Sequence, residues 1–220
     1  MKSEDIDYSG VISGEKERCY MRVILIGGTG TIGREVANAL RVAHEVVTAG
    51  RKSGDLSVDI TEPESIEAMF NQAGEFDALV SAAGSARFGP LDDLDYDDFL
   101  FGFKNKLMGQ VNLVRIGRTY INDNGSFTLT SGVLAREPIP GSSAVSMVNA
   151  GLEGFVRAAQ LELERNVRVN VVSPVWVQET LLAMGRSTAE GMPAALVARA
   201  YLASVTGTMK GAVLDVNDYV

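Results

Sequence analysis

The sequence predicts an α/β fold, a single domain with a doubly wound parallel sheet. Apolar runs of strand length alternate with segments of helical spacing along most of the chain. Several of these runs are apolar on both faces, as parallel strands covered by helices must be. A chain of 220 residues is long enough for one such domain and too short for two ordinary ones.

Seven runs rich in β-branched residues are predicted to be strands: Val23–Ile26, Glu45–Thr48, Ser57–Ile60, Ala78–Ala82, Ser126–Thr130, Arg168–Val172 and Ala212–Val216. A capping box of Thr61 and Glu64 predicts a helix that has Pro63 in its first turn. Apolar residues at helical spacing predict the other helices: the stripe Ile32, Val36, Ala39 and Leu40, and the segments Tyr96–Ile121, Val145–Glu164 and Pro193–Ser204.

The domain is predicted to span residues 21–220, preceded by a polar leader at 1–20 that shows no sustained period and is expected to be flexible. The first residues are acidic where a signal peptide would be basic, and no apolar run is long enough to cross a bilayer. The one cysteine, Cys19, excludes an internal disulfide. We therefore expect a cytoplasmic protein that does not enter a membrane.

Charge and composition exclude several function classes. The net charge of −8 and the scattered basic residues disfavour nucleic acid as a partner. The only histidine, His44, lies between a helix pattern and a strand pattern and is predicted to be a surface connector. One histidine and one cysteine are too few for a His-rich metal site or for a Ser-His or Cys-His hydrolase, so we expect no metal.

A glycine-rich turn follows the first predicted strand directly. The sequence GGTGTIG at 27–33 places Gly27, Gly30 and Gly33 three residues apart, with Thr29, Thr31 and Ile32 between them. This spacing lets the backbone approach a pyrophosphate while the N–H groups of the following helix face the anion. A P-loop is disfavoured because the next residues are Arg34 and Glu35 instead of Lys and Ser or Thr. The turn indicates a Rossmann-type dinucleotide site, with a purely structural glycine turn as the alternative.

The end of the second predicted strand indicates which dinucleotide binds. NAD-preferring sites usually carry a carboxylate here for the ribose 2′-hydroxyl. This chain has instead Arg51, Lys52 and Ser53, which suit a 2′-phosphate through charge and hydrogen bonds. NADP is therefore the predicted cofactor and NAD the less favoured one. The alternative is a solvated basic turn.

With these motifs in this order, residues 21–220 resemble the short-chain dehydrogenase/reductase family. The resemblance implies that Asp59 and Ile60 lie beside the adenine of the cofactor. It also implies that SAAG at 81–84 (Ala82, Ala83 and Gly84) is the turn after the fourth strand and that FTLTSG at 127–132 ends in the catalytic serine, Ser131. The segments AGLEGFVRAAQLEL at 150–163 and VRVNVVSP at 167–174 resemble the family's long helix and sixth strand, so Pro174 and Val177 are expected at the cofactor. Trp176 would flank the nicotinamide or substrate, or belong to the core.

The departures from the family pattern concern its chemistry. Aligned on Gly154 and Phe155, the family's Tyr-x-x-x-Lys falls on Val145 and Asn149, and neighbouring registers give neither residue. The chain therefore resembles an atypical subgroup that lacks these residues. Lys106 stands where the family usually has an asparagine. It would enter the space of the missing lysine, or else lie exposed on a helix flank.

Two functions follow from the resemblance. One is an NADP(H)-dependent oxidoreductase with altered or weak catalysis on an unknown small carbonyl or alcohol, in which Lys106 and Ser131 carry the chemistry. The other is a non-catalytic NADP(H)-binding redox sensor or scaffold. The segment from Thr180 to Pro193 is short for a lid over the substrate, which predicts an open site or one completed by another subunit.

The family also assembles through two of its helices, so a homodimer or homotetramer is expected. The residues whose spacing fits this interface are Val111, Val114, Val148, Leu152 and Phe155.

Overall fold

The computed structural model describes residues 20–220. Its sheet has seven parallel strands in the order β3-β2-β1-β4-β5-β6-β7 within this part of the chain. The strands are β1 (Arg22–Ile26), β2 (Glu45–Gly50), β3 (Leu56–Ser57), β4 (Phe76–Ser81), β5 (Ile121–Thr130), β6 (Arg168–Ser173) and β7 (Val213–Asp215). The predicted single α/β domain of Rossmann type is confirmed.

The helices lie on both faces of the sheet. They are α1 (Thr31–Arg41), α2 (Pro63–Ala73), α3 (Tyr96–Gly102), α4 (Gly109–Gly117), α5 (Ser143–Ala159), α6 (Gln178–Ala183) and α7 (Ala194–Thr206). A π-helical turn, Phe103–Met108, joins α3 to α4. The strand order reverses at β1, which pairs with β2 through Ile26 and Ala49 and with β4 through Ile26 and Ser81. A ligand crevice is expected outside the carboxyl ends of the strands at this switch point.

Two apolar layers hold the helices to the sheet. On one face α2, α4 and α5 bury side chains around Phe70, Phe76 and Phe127. The rings of Phe70 and Phe76 stack with centroids 5.4 Å apart, and Phe127 meets Phe76 edge-on at 6.1 Å. On the other face α1 and α7 pack against β1 and β4. Because both faces are covered, the central strands have to be apolar throughout.

Three sequence-based predictions of element ends are wrong. The helix predicted over Tyr96–Ile121 ends at Gly117, and Ile121 already begins β5. The helix predicted over Val145–Glu164 is Ser143–Ala159, after which the chain turns through positive φ at Arg165 and Asn166. The strand predicted over Ser57–Ile60 is only Leu56–Ser57, although Val58 and Ile60 are buried below the sheet edge.

The predicted capping box of Thr61 and Glu64 does not form. Glu62 is the N-cap of α2 and makes no side-chain cap hydrogen bond, and Pro63 is the first helical residue. The Thr61 hydroxyl instead donates to the Asp59 carboxylate at 2.8 Å. Thr61 precedes the N-cap by one residue, and its hydroxyl makes a local hydrogen bond to a side chain two residues away.

One prediction about exposure is also wrong. His44 does connect α1 to β2, but it is buried at 9% exposure and its Nδ1 accepts a hydrogen bond from the Met21 N–H. Four of the five residues assigned to a subunit interface are buried inside this chain: Val111, Val114, Val148 and Leu152. Val114 and Leu152 belong to the apolar layer that covers the sheet, as the apolar stripe of an amphipathic helix does.

The predicted leader falls almost wholly outside the described residues, of which Tyr20 is the first. Within residues 20–220, no helix is both long enough and apolar enough to span a bilayer.

Tyr201 of α7 makes a hydrogen bond to β5 near the carboxyl ends of the strands. Its side chain is fully buried, and its hydroxyl lies 2.7 Å from the Thr130 hydroxyl. Because Thr130 donates its own hydrogen to the Ser81 carbonyl, Tyr201 must be the donor to Thr130. Burial raises the pKa of the Tyr201 phenol, so the phenol stays protonated as this network requires.

We predict that Tyr201→Phe lowers the free energy of unfolding by about 1 kcal/mol, since one buried hydrogen bond is lost while the ring still fills its space. Chemical denaturation monitored by circular dichroism measures the loss. Tyr219→Phe is the control, because the Tyr219 hydroxyl meets only the Met209 sulfur at 3.4 Å. Equal effects of the two substitutions would contradict the prediction.

Candidate functional site

The glycine-rich turn joins β1 to α1 with very little space between them. Gly27 has φ of +79°, and its N–H donates to the Ala49 carbonyl at 2.8 Å. A Cβ on Gly33 would overlap the Gly27 carbonyl oxygen, so only glycine fits there. Gly30, the N-cap of α1, supplies no side-chain cap. The first N–H groups of the helix, at Thr31 and Ile32, are therefore available to a ligand anion.

The basic turn after β2 lies beside the glycine-rich turn. Arg51, Lys52 and Ser53 are all exposed, and the Ser53 hydroxyl lies 2.8 Å from the Thr29 hydroxyl. Arg51 lies 3.8 Å from the Asp59 carboxylate, with most of its side chain in solvent. These contacts join the two turns into one polar surface that carries cations.

The Asp59 carboxylate is held ionised by its surroundings. The Thr61 N–H and hydroxyl donate to it, and with the nearby Arg51 guanidinium they lower the pKa of Asp59 below its usual value. The neighbouring Ile60 side chain points into the core, where it leaves no room for a side chain at Gly109. Asp59 is thus at the surface beside the basic turn, whereas the Ile60 side chain is not.

A cleft of about 270 Å³ opens at the carboxyl ends of β1, β4, β5 and β6. Eight of the eighteen residues proposed from the sequence for the site line it: Ile32, Ala82, Ala83, Gly84, Lys106, Ser131, Pro174 and Val177. Sequence reasoning missed other lining residues: Thr130, Gly132, Val133, Leu134, Val175 and Thr180. All of these except Thr180 lie within four residues of a predicted strand end. The predicted strand boundaries could therefore have identified them as lining residues.

Lys106 enters this cleft from the π-helical turn. Its Nζ donates to the Ser131 carbonyl oxygen at 2.9 Å, and burial lowers the pKa of its ammonium to about 8. Gly84, with φ of +125°, makes room for it, since a Cβ there would lie 2.9 Å from the Lys106 Cγ. The adjacent Asn105 accepts a hydrogen bond from the Ser85 N–H instead of facing the cleft. The exposed-flank interpretation of Lys106 is therefore wrong.

The Ser131 hydroxyl is directed away from the cleft. It is 3% exposed, and the acceptors within its reach are the Glu153 carboxylate at 3.3 Å and the Val172 carbonyl at 3.4 Å. Glu153 lies on α5, is itself buried, and pairs with Arg157 at 3.5 Å. Sequence reasoning missed Glu153, because its spacing of four from Arg157 is also typical of an exposed helical ion pair.

Asn149 and Val145, on which the sequence alignment placed the family's Lys and Tyr, both lie on α5. Asn149 lines the cleft at 2% exposure and donates to the Gly132 carbonyl at 3.4 Å. Its Oδ1 is buried and has no hydrogen-bond partner within the protein. An orphaned buried acceptor loses its hydration without compensation, which favours a ligand that donates to it. Val145 is half-buried and carries no titratable group.

Trp176 and the segment after it form the far wall of the cleft. Trp176 lines the cleft, and the Arg186 guanidinium stacks over its ring at 5.0 Å from the centroid. Val177 and Met192 form a parallel bridge, and the Met192 N–H donates to the Trp176 carbonyl at 2.8 Å. The segment from Thr180 to Pro193 contains most of α6 and is closed by this bridge, and Thr180 is the one residue of the segment that lines the cleft.

The arrangement resembles known proteins over most of its length. A family described as enoyl-(acyl carrier protein) reductase matches residues 31–212. The crystal structure of the protein lin1944 from Listeria innocua is 41% identical, over 89% of this chain and 98% of that chain, with a TM-score of 0.86. A small-chain dehydrogenase in complex with NADPH is 28% identical, over 89% of this chain and 96% of that chain, with a TM-score of 0.79.

Curated relatives are more distant and longer. Hydroxynaphthalene reductase of Aspergillus fumigatus is 25% identical over 68% of this chain, and versicolorin reductase 1 of Dothistroma septosporum is 28% identical over 64%. The chain matches only 56% of the length of each. The coverage of the family match and the 41% identity to a protein of the same fold confirm the family expected from the sequence. The chain belongs to the short-chain dehydrogenase/reductase family of oxidoreductases.

Proposed function

We propose that this chain is an NADP(H)-dependent reductase of a small carbonyl compound in which Lys106 supplies the proton. The observation that carries the proposal is the buried Lys106 amine, which lies in the cleft with a pKa of about 8 and no carboxylate partner among the described residues. The relatives named as reductases and the NADPH-bound neighbour support the reaction class.

The residues around the cleft fit a dinucleotide. The α1 N-terminus and the glycine turn would hold the pyrophosphate, because no side chain caps that helix and no Cβ blocks the approach. Pro174 and Val177 would border the nicotinamide, and the Asn149 Oδ1 would accept a hydrogen bond from a hydroxyl of the ligand. Bound NADPH supplies the hydride for carbonyl reduction.

The proton for the substrate oxygen has to come from the protein or from water. Lys106 as an ammonium donates to the carbonyl oxygen, gives up one proton when that oxygen becomes an alcohol, and is left as a neutral amine that solvent reprotonates. Desolvation favours this transfer, because it brings the pKa of the ammonium closer to neutral pH. The Ser131 carbonyl holds the amine in position throughout.

A second candidate is a non-catalytic NADP(H)-binding sensor or scaffold. The observation that favours it is the Ser131 hydroxyl, whose hydrogen is directed to Glu153 or Val172 and is not available to polarise a substrate. Val145 supplies no proton either. Binding of NADPH with no turnover across a panel of ketones, aldehydes and alcohols would favour this candidate.

We also propose that the protein is a cytoplasmic homodimer or homotetramer. With the predicted interface residues buried, the outward face of α5 remains for assembly: Met147, Ala150 and Gly154 are exposed and spaced at three and four residues. Phe101 and Phe103, at the junction of α3 and the π-helical turn, are exposed apolar side chains at 36% and 42%. Exposed apolar residues of this kind are typical of subunit interfaces.

We predict that NADPH binds on the order of tenfold more tightly than NADH, a modest preference because Arg51 and Lys52 are exposed to solvent. Arg51→Ala should reduce this preference by weakening NADPH alone. Arg199→Ala, which removes an exposed arginine from α7, is the matched control. Calorimetric affinities measure both. Equal binding of the two cofactors to the unaltered protein would refute the NADP assignment.

We predict that the rate of carbonyl reduction falls as the pH rises through about 8, because the Lys106 ammonium is then lost. The rate of carbonyl reduction is highest at pH values below this pKa and is lost as the pH rises above it. Lys106→Gln should lower kcat by about 10²–10⁴ and remove the inflection. Lys106→Arg keeps the charge but holds its proton too tightly, so it should also be slow and without the inflection. An unchanged pH profile in Lys106→Gln would exclude Lys106 as the proton donor.

We predict that Gly154→Glu converts the oligomer into a smaller species. A Cβ at Gly154 meets nothing within 4 Å in the isolated chain, so the substitution leaves the folded subunit intact. Across a symmetric interface it would bury a carboxylate near its own copy. Light scattering coupled to size exclusion measures the mass. Ala68→Glu, on the exposed side of α2, is the control. A wild-type monomer at micromolar concentration would refute the assembly.

A further inference from the structure

Two cations adjoin the cleft without a carboxylate partner. Six ion pairs occur among residues 20–220, and neither Lys106 nor Arg186 takes part in any of them. Lys106 is also the only titratable side chain among the residues that line the cleft. The local charge of the cleft is therefore positive, although the whole chain carries a net charge of −8.

Three carboxylates around the cleft are engaged elsewhere. Glu153 lies behind Ser131 and pairs with Arg157, and Asp215 pairs with Arg136 at 2.9 Å. On the lid side, the Glu179 carboxylate accepts the Ala194 N–H at 3.0 Å, at the start of α7. Among residues 20–220, no carboxylate lies within 4.0 Å of the Arg186 guanidinium.

Arg186 is held by Trp176. Its guanidinium lies over the indole, which itself lines the cleft. The backbone N–H of Arg186 donates to the Leu181 carbonyl at 2.9 Å. Stacking on an aromatic face orients the planar guanidinium while its N–H groups remain free for an acceptor. A guanidinium fixed in this way suits the two oxygens of a carboxylate.

We propose that the substrate is an anionic carbonyl compound, a keto acid whose carboxylate binds Arg186 while its carbonyl oxygen faces Lys106. This inference rests on the proposed reductase function and names its substrate class. The negative net charge of the chain repels anions at long range, so a selective site for them needs local cations such as these. A bound carboxylate also favours the charged form of the nearby Lys106, which keeps its proton available.

The experiment measures binding of two acids and their uncharged esters: benzoylformate and acetoacetate, each against its methyl ester. Calorimetry gives the affinities with and without NADPH, and fluorescence of Trp176, the only tryptophan of the chain, reports binding at this wall. We expect each acid to bind about tenfold more tightly than its ester, because Arg186 is exposed and solvent weakens its charged hydrogen bond. Added salt should weaken the acids and leave the esters unchanged.

Three variants assign the preference to Arg186. Arg186→Gln should reduce the affinity for the acids to that of the esters, with ester affinity unchanged. Arg186→Lys should retain part of the preference, because the charge stays while the planar stacking group is lost. Arg199→Gln removes an exposed arginine of α7 and should change nothing. Thermal melting of all three variants verifies that they are folded.

The outcomes separate this inference from the proposed function. If acids and esters bind wild type equally, or if Arg186→Gln weakens acids and esters alike, the keto-acid inference is overturned even when NADPH binds. If the acids bind preferentially through Arg186 while NADPH does not bind, the anion site stands and the reductase proposal fails. If NADPH binds while the acids show no preference that depends on Arg186, the reductase proposal stands and the keto-acid substrate class is excluded.

Discussion

The backbone contact between the Gly27 carbonyl and Gly33 is the constraint on which the site depends. Because no side chain separates them, α1 starts directly over the end of β1, and its uncapped N–H groups face the same opening as the cleft. A similar closeness recurs at Gly28, where a Cβ would lie 2.7 Å from the Thr48 Cγ2. The turn after β2 is thereby brought against the glycine turn, and the Thr29 and Ser53 hydroxyls meet. Anion-binding backbone and basic side chains thus share one edge of the sheet.

A second close approach of the backbone positions Lys106. Gly84 at the end of β4 lies against the Lys106 side chain, and the π-helical turn carries Lys106 inward while its neighbour Asn105 holds the strand-end loop. Such single π-turns often occur at functional sites, since the extra residue redirects a side chain. Burying an ammonium without a counter-ion is unfavourable, and its lowered pKa expresses that cost. This desolvation cost falls on the residue that we propose as the proton donor.

Features encoded locally could be predicted from the sequence, and features that depend on tertiary neighbours could not. The glycine turn, the alternation of strands and helices and several residues at strand ends follow from short-range patterns. The direction of the Ser131 hydroxyl depends on Glu153, which lies 22 positions away on another element. The apolar spacing of Val148 and Leu152 fits a core face and an interface equally well, and only the packed structure distinguishes them. Thr61 has the residue type of a helix cap, but its hydroxyl donates a hydrogen bond to the Asp59 carboxylate.

The lining of the cleft combines a charged hydrogen-bond donor with a buried acceptor that has no partner in the protein. With Val145 apolar and the Ser131 hydrogen directed inward, Lys106 is the one side chain lining the cleft that is both charged and a donor to it. Opposite in character is Asn149, whose Oδ1 is an acceptor without a partner. A ligand that satisfies both must present an acceptor to Lys106 and a donor to Asn149. A carbonyl oxygen together with a hydroxyl-bearing cofactor meets both requirements at once, whereas an apolar ligand would leave each polar group desolvated. Lys106 and Asn149 therefore give the cleft a polarity that fits the carbonyl reduction that we propose.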